Sequence, residues 1–129
     1  MEFKELATYF EKLEKTSSRL LLIEILSELF KKTQKEEIEK IVYLIQGRLA
    51  PFFVPLEIGM AEKTVAQSIA NAYNLSREDV LKLYEKLGDM GFAVEEISAR
   101  FKPKNSNIKV DRVFEILTEI ANTKGEGTV

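Results

Sequence analysis

The sequence contains no cysteine and no histidine, and these two absences exclude several kinds of site. Without cysteine there can be neither a disulfide framework nor a thiolate metal site. Without either residue, a serine lacks the partners that most often activate it as a nucleophile. These absences exclude those kinds of site, and for the chain as a whole we predict no catalytic residue, no metal site and no cofactor.

Long apolar runs are also missing, since even the leucine-rich stretch around residues 20–25 falls far short of the roughly 18 residues that span a bilayer. The first five residues are amphipathic and acidic, which is unlike a signal peptide. These features predict a cytoplasmic protein that has no membrane partner.

Positive charge is not in excess, because 19 lysines and arginines face 21 acidic residues, for a net charge of −2 and a pI near 5.4. Binding to a nucleic-acid backbone depends largely on cationic side chains that displace counterions. The overall composition therefore argues mildly against a nucleic-acid module, and only a local cluster of cations could favour one. The length of 129 residues is that of one ordinary globular domain.

Apolar residues recur with helical spacing along almost the whole chain, and no alternation typical of a strand lasts four residues outside these runs. The pattern predicts an all-α fold, a compact bundle of about six or seven short helices with an irregular Gly/Pro connector. The predicted helices run from 3 to about 13, from the hydroxyl caps at 16–18 to about 32, from about 35 to Gly47, from about 61 to 73, from the Ser76 cap to 87, from the Asp89 cap to about 99, and from about 110 onward.

Three expectations concern burial. The second helix carries apolar residues around much of its circumference, so we expect it to be the central and most buried helix. We expect the apolar side chains of the connector to fill the core more readily than to form a nucleic-acid platform; they are Phe52, Phe53 and Met60. We expect the acids near the start of the third helix to form a solvated face that complements the helix dipole; they are Glu36, Glu37 and Glu39.

Four segments carry a resemblance to a known family. They are 43–51 (Tyr-Leu-Ile-Gln-Gly-Arg-Leu-Ala-Pro), 55–63 (Pro-Leu-Glu-Ile-Gly-Met-Ala-Glu-Lys), 88–95 (Gly-Asp-Met-Gly-Phe-Ala-Val-Glu) and 125–128 (Gly-Glu-Gly-Thr). Together with the opening segment 3–16, they closely resemble the N-terminal DNA-binding domain of ATP-dependent DNA ligases, and the archaeal-type enzymes best. The resemblance implies that residues 1–129 form the first half of that helical domain.

The resemblance implies sequence-independent binding of the duplex DNA backbone around nicks, in DNA replication and repair. It also implies a monomeric fragment whose partners are nicked double-stranded DNA and the remaining ligase domains. Ligases adenylate a lysine in a Lys-x-Asp-Gly motif, and the nearest string here, 109–112, ends in Arg112 instead of glycine. We therefore expect no catalysis in this chain, with ATP and a divalent metal such as Mg²⁺ bound in other domains of the parent enzyme.

The candidate DNA contacts are basic residues and a glycine loop. Glycine amides can approach a phosphate closely, and the resemblance implies that the 125–128 loop grips the DNA backbone. The alternatives are a frayed chain end for that loop, a solvated loop for 100–112, a nearby acid for Lys63 and a helix-capping role for Arg48. The full candidate set is Arg48, Lys63, Arg100, Lys102, Lys109, Arg112, Lys124, Gly125, Gly127 and Thr128.

Two further hypotheses remain open. The chain could be a helical protein–protein interaction module with no nucleic-acid role, or a structural adaptor that binds no ligand. A contiguous exposed apolar patch would favour the interaction module. Candidate basic residues gathered on one face would favour DNA.

Overall fold

The computed structural model describes residues 1–101 and 106–123. Within these residues all regular secondary structure is helical, apart from one isolated β-bridge between Glu2 and Lys109. The all-α prediction is therefore confirmed. The seven helices are α1 (Phe3–Glu14), α2 (Arg19–Lys32), α3 (Lys35–Ile45), α4 (Glu62–Tyr73), α5 (Arg77–Leu87), α6 (Met90–Ala99) and α7 (Val110–Asn122).

Local side chains fix the helix ends where the sequence predicts them. Ser18, Ser76 and Asp89 each accept a hydrogen bond from the backbone amide three residues later, at 3.4, 3.1 and 2.8 Å. Such N-caps satisfy amide groups that have no partner inside the helix. Asn74 and Gly88 end α4 and α5 in the left-handed conformation, with φ of 56° and 76°.

The described residues fall into two compact units. Unit 1 contains residues 1–58 and 106–123, and therefore helices α1, α2, α3 and α7. Unit 2 contains residues 59–101, and therefore α4, α5 and α6. Unit 1 thus joins two parts of the chain that are distant in sequence.

The core of unit 1 takes side chains from all four of its helices. They are Leu6 and Tyr9 of α1, Leu29 of α2, Ile41 of α3 and Val110 of α7. Backbone hydrogen bonds also join the start of α1 to the start of α7. The Phe3 amide donates to the Ile108 carbonyl at 2.8 Å, and the Val110 amide donates to the Met1 carbonyl at 3.0 Å.

The core of unit 2 combines small and branched side chains. Ala66, Ile69 and Ala70 of α4 pack with Val80 of α5 and Ile97 of α6. The two alanines let the helices approach closely, because they add little volume at the contact. None of the helices that the structure describes in either unit is both long and apolar enough to cross a membrane.

The prediction that α2 is the central helix is wrong. Leu20 and Ile23 are 77% and 54% exposed, and Leu29 is the only fully buried residue of α2. Among the described helices, α2 has extensive contacts with α1 alone. Apolar residues around a helix allow it to pack against several neighbours, but whether those neighbours are present depends on the rest of the fold.

The prediction of a solvated acidic face on α3 is wrong for Glu37. Its side chain is buried and lies 3.0 Å from the α-amino group of Met1. Its second carboxylate oxygen accepts a hydrogen bond from the Gln34 amide at 3.3 Å, which caps the helix. A buried carboxylate needs such partners, since burial removes its hydration.

Candidate nucleic-acid interface

The structure places half of the candidate DNA contacts. Arg48, Lys109 and Arg112 lie in unit 1, and Lys63 and Arg100 lie in unit 2. The rest of the candidate set lies outside the described residues; it comprises Lys102, Lys124, Gly125, Gly127 and Thr128. The environments of the placed residues differ, and each environment decides what its cation can bind.

Arg48 organises the connector that follows α3. Its guanidinium donates to the carbonyls of Ala50 and Pro51, both at 3.2 Å, and to that of Val54 at 3.4 Å. The side chain is half-buried, and these carbonyls lie in the connector rather than at the end of α3. Arg48 therefore uses much of its hydrogen-bonding capacity inside the protein.

The prediction that Phe52 and Phe53 fill the core is wrong. They are 84% and 73% exposed, and their rings meet edge to face with centroids 5.6 Å apart. Met60, in unit 2, is also exposed. The hydrogen bonds of Arg48 hold the backbone of the connector in place, while the two phenylalanines of the connector face solvent.

We expect the double variant Phe52→Ala/Phe53→Ala to change the free energy of unfolding by no more than about 0.5 to 1 kcal/mol, because exposed side chains bury little apolar surface. Urea unfolding followed by circular dichroism measures this change. The matched variant Ile41→Ala removes a fully buried side chain of the same unit and should cost about 2 to 5 kcal/mol. Equal losses in the two variants would contradict the exposed placement of the aromatic pair.

The basic residues at the start of α7 are accompanied by acids. Lys109 is an exposed residue at the N-cap of α7. Arg112 pairs with Glu115 at 3.0 Å, and Lys40 of α3 pairs with Asp111 at 3.0 Å. Glu115 therefore compensates Arg112 within unit 1, whereas Asp111 pairs with Lys40 and does not offset Lys109.

A cleft of about 670 Å³ runs beside α7 in unit 1. Three of its lining residues are the carboxylates Asp111, Glu115 and Glu119, whereas Lys40 is its one basic residue. Asp111 is paired with Lys40 and Glu115 with Arg112, so the described residues leave this cleft with no excess of positive charge to attract phosphate. The sequence contains the signal, because these acids recur every four residues and so share one face of a helix.

Lys63 is an exposed residue in the first turn of α4. The neighbouring Glu62 accepts a hydrogen bond from the Tyr84 hydroxyl, and this bond raises the pKa of Tyr84 above its ordinary value. Within the described part of unit 2, Lys63 makes no ion pair. The alternative of a nearby acid that neutralises Lys63 is therefore not favoured within that unit.

Arg100 follows α6 and lines a cleft of about 310 Å³ in unit 2. Lys82 and Lys86 of α5 line the same cleft. Both lysines are exposed, and neither forms an ion pair with another described residue of unit 2. These two lysines lie outside the predicted set, although their spacing of four residues places them on one helix face.

Comparison with known families settles the family of the chain. The sequence model of a family described as "DNA ligase N terminus" matches residues 2–129. The chain belongs to this family. The match runs through both units, and it confirms the resemblance seen in the sequence.

Several curated relatives of this DNA ligase N-terminal chain cover all or nearly all of it. A probable DNA ligase of Dictyoglomus turgidum is 45% identical over 129 residues, which are 100% of this chain and 22% of the relative. A DNA ligase of Saccharolobus islandicus is 40% identical over 143 aligned residues, which cover 99% of this chain and 23% of the relative. A DNA ligase of Acidianus ambivalens is 36% identical over 99% of this chain. The chain thus spans less than a quarter of the length of these relatives.

Ligation chemistry needs a metal ion as well as a nucleophile, and the described residues of this DNA ligase N-terminal chain offer no fitting metal site. No group of three or more acidic side chains among residues 1–101 and 106–123 is placed to hold a metal ion.

Proposed function

We propose that this chain is the DNA-binding N-terminal part of an ATP-dependent DNA ligase, and that it holds the backbone of nicked duplex DNA. The family match over residues 2–129, with relatives named DNA ligase, carries this proposal. The parent enzyme acts in replication and repair, in the cytoplasm. Its other domains bind ATP and Mg²⁺ and carry the adenylated lysine.

The proposed contacts are to phosphates and sugars, because a ligase must close nicks in any sequence. Phosphate contacts position a protein on DNA without reading its bases, whereas base readout needs side chains in a groove. The exposed cations Lys63, Lys109 and Arg100 suit that task. Arg48 and Arg112 are weaker candidates, because intramolecular bonds occupy them. Lys102, Lys124 and the loop with Gly125, Gly127 and Thr128 remain in the proposal.

We expect the monomeric 129-residue chain to bind two duplexes of unrelated sequence with the same affinity, within about twofold, because phosphate contacts are common to both. Fluorescence anisotropy with labelled duplexes, each prepared intact and with a central nick, measures this. A preference of tenfold or more for one sequence would contradict backbone binding. A preference for the nicked form would place nick sensing in this chain.

The second candidate function is a helical protein-interaction module. The exposed side chains Leu20, Leu21 and Ile23 at the start of α2 favour it, because exposed apolar groups gathered on one element are typical of contact surfaces. A chain that is folded but binds no duplex at low salt would move this function ahead. The variant Leu20→Ser/Ile23→Ser, which removes apolar side chains from that surface, would then test whether a protein partner binds there.

A further inference from the structure

The cleft of unit 2 combines three cations with an apolar floor. Lys82 and Lys86 project from α5, and Arg100 comes from the residue that ends α6. The floor consists of Leu75, Leu83 and Ile97. We propose that this cleft binds backbone phosphates of duplex DNA, through Lys82, Lys86 and Arg100. The inference rests on the proposed function and adds two lysines that lie outside the predicted set.

The spacing of the two lysines supports a shared ligand. Side chains four residues apart on a helix lie one turn apart on the same face, with Cβ atoms about 6 Å from each other. Their aliphatic stems can lie along an apolar floor while the ammonium groups reach solvent. An anion at the mouth of the cleft can therefore meet both ammonium groups together.

The charge balance of the cleft is positive. Asp79 is its one acidic lining residue, against the three cations. Glu96 lies 3.9 Å from Arg100, and both side chains are exposed to solvent. An exposed pair at that separation is weak, so the guanidinium can exchange it for a phosphate. Glu78 lies one turn before Lys82 on α5, but neither lysine forms an ion pair with a described acid of unit 2.

The α7 cleft of unit 1 supplies an internal contrast. It is larger, at about 670 Å³, but carries three carboxylates and one lysine. The lining of the unit 2 cleft has an excess of positive charge that attracts phosphate, whereas the lining of the α7 cleft has none. Charge, and not size, therefore distinguishes the site that we propose for DNA.

The test compares the wild-type chain with the double variant Lys82→Gln/Lys86→Gln in anisotropy titrations with a nicked duplex. Loss of two phosphate contacts should weaken binding by about tenfold or more at 0.1 M salt. It should also make the negative slope of log K against log salt shallower by about 1.8. The variant Lys82→Arg/Lys86→Arg, which keeps both charges, should bind within about threefold of wild type. Thermal unfolding confirms that each variant is folded.

The matched control is Lys31→Gln/Lys35→Gln, which removes the same charge from two exposed lysines of unit 1. It should retain the wild-type affinity within about threefold. An equal loss in this control would overturn the inference, since net charge alone would then explain the effect. Unchanged DNA binding by Lys82→Gln/Lys86→Gln would overturn it while leaving the proposed function intact.

The remaining outcomes separate this inference from the proposed function. A wild-type chain that binds no duplex at low salt would overturn both. We would also titrate poly-glutamate with the wild-type chain and with Lys82→Gln/Lys86→Gln. If the variant loses binding to poly-glutamate but binds DNA as the wild type does, the cleft binds an acidic protein partner and the DNA assignment is overturned.

Discussion

We expect Leu29→Ala to lower the free energy of unfolding by about 3 to 5 kcal/mol. Leu29 is fully buried and packs in the core of unit 1 with Leu6, Tyr9, Ile41 and Val110. The truncation removes apolar contacts and leaves a cavity among residues from all four helices of the unit. It also removes the one fully buried anchor of α2, so its effect should lie in the upper part of the range for such changes. Urea unfolding followed by circular dichroism measures the loss.

The same substitution at Leu20 is a matched control within the same helix. Leu20 is 77% exposed, so Leu20→Ala should change the free energy of unfolding by less than about 1 kcal/mol. Both variants exchange leucine for alanine in α2, and helix propensity therefore contributes little to the difference between them. Similar losses at the two positions would contradict the peripheral placement of α2.

The second large effect is expected for Glu37→Gln, at about 3 kcal/mol. The substitution leaves the α-amino group of Met1 beside a neutral amide in a buried environment, where the carboxylate now lies 3.0 Å away. It also weakens the capping contact with the Gln34 amide. Breaking a buried ion pair is costly, because the remaining charge has lost its hydration without a partner. Thermal and urea unfolding at pH 7 measure the effect.

Glu36→Gln is the control for Glu37→Gln. Glu36 lies in the same first turn of α3 but is exposed, so the loss should stay within about 0.5 kcal/mol. If the two substitutions cost the same, the effect of Glu37 would come from the helix dipole and not from the buried pair.

The helix ends could be predicted because their causes are local. Ser76 and Asp89 each bond an amide three residues away, so a few residues of sequence contain the whole interaction. Asn74 and Gly88 likewise end their helices through their own backbone conformation. The class and order of the helices follow from such signals together with apolar spacing.

Burial could not be predicted, because it depends on which elements become neighbours. The sequence shows that α2 is apolar, but not that α1 is its main partner. It shows Glu37 as one of several acids, but not that the chain places the Met1 α-amino group beside it. It also does not show that Arg48 bonds the connector backbone while Phe52 stays exposed to solvent.

The candidate site could be predicted only in part for the same reason. The sequence shows the cations Arg100 and Arg112, and a charge count across 100–112 includes one acid. Glu115 lies just beyond that window, and the helical geometry of α7 brings it to Arg112. Conversely, the sequence shows Lys82 and Lys86 only as two lysines on a solvent-facing helix surface. That Arg100 lies at the same cleft is a property of the fold of unit 2.

The central claim is that this chain holds duplex DNA through phosphates, and the salt dependence of binding tests it most directly. We would titrate a nicked duplex with the wild-type 129-residue chain at several salt concentrations and plot log K against log salt. The account predicts a linear decrease with a slope of about −0.9 for each phosphate contacted, hence about −2.7 or steeper if Lys82, Lys86 and Arg100 all engage. A folded chain whose affinity is independent of salt, or that does not bind even at low salt, would contradict it.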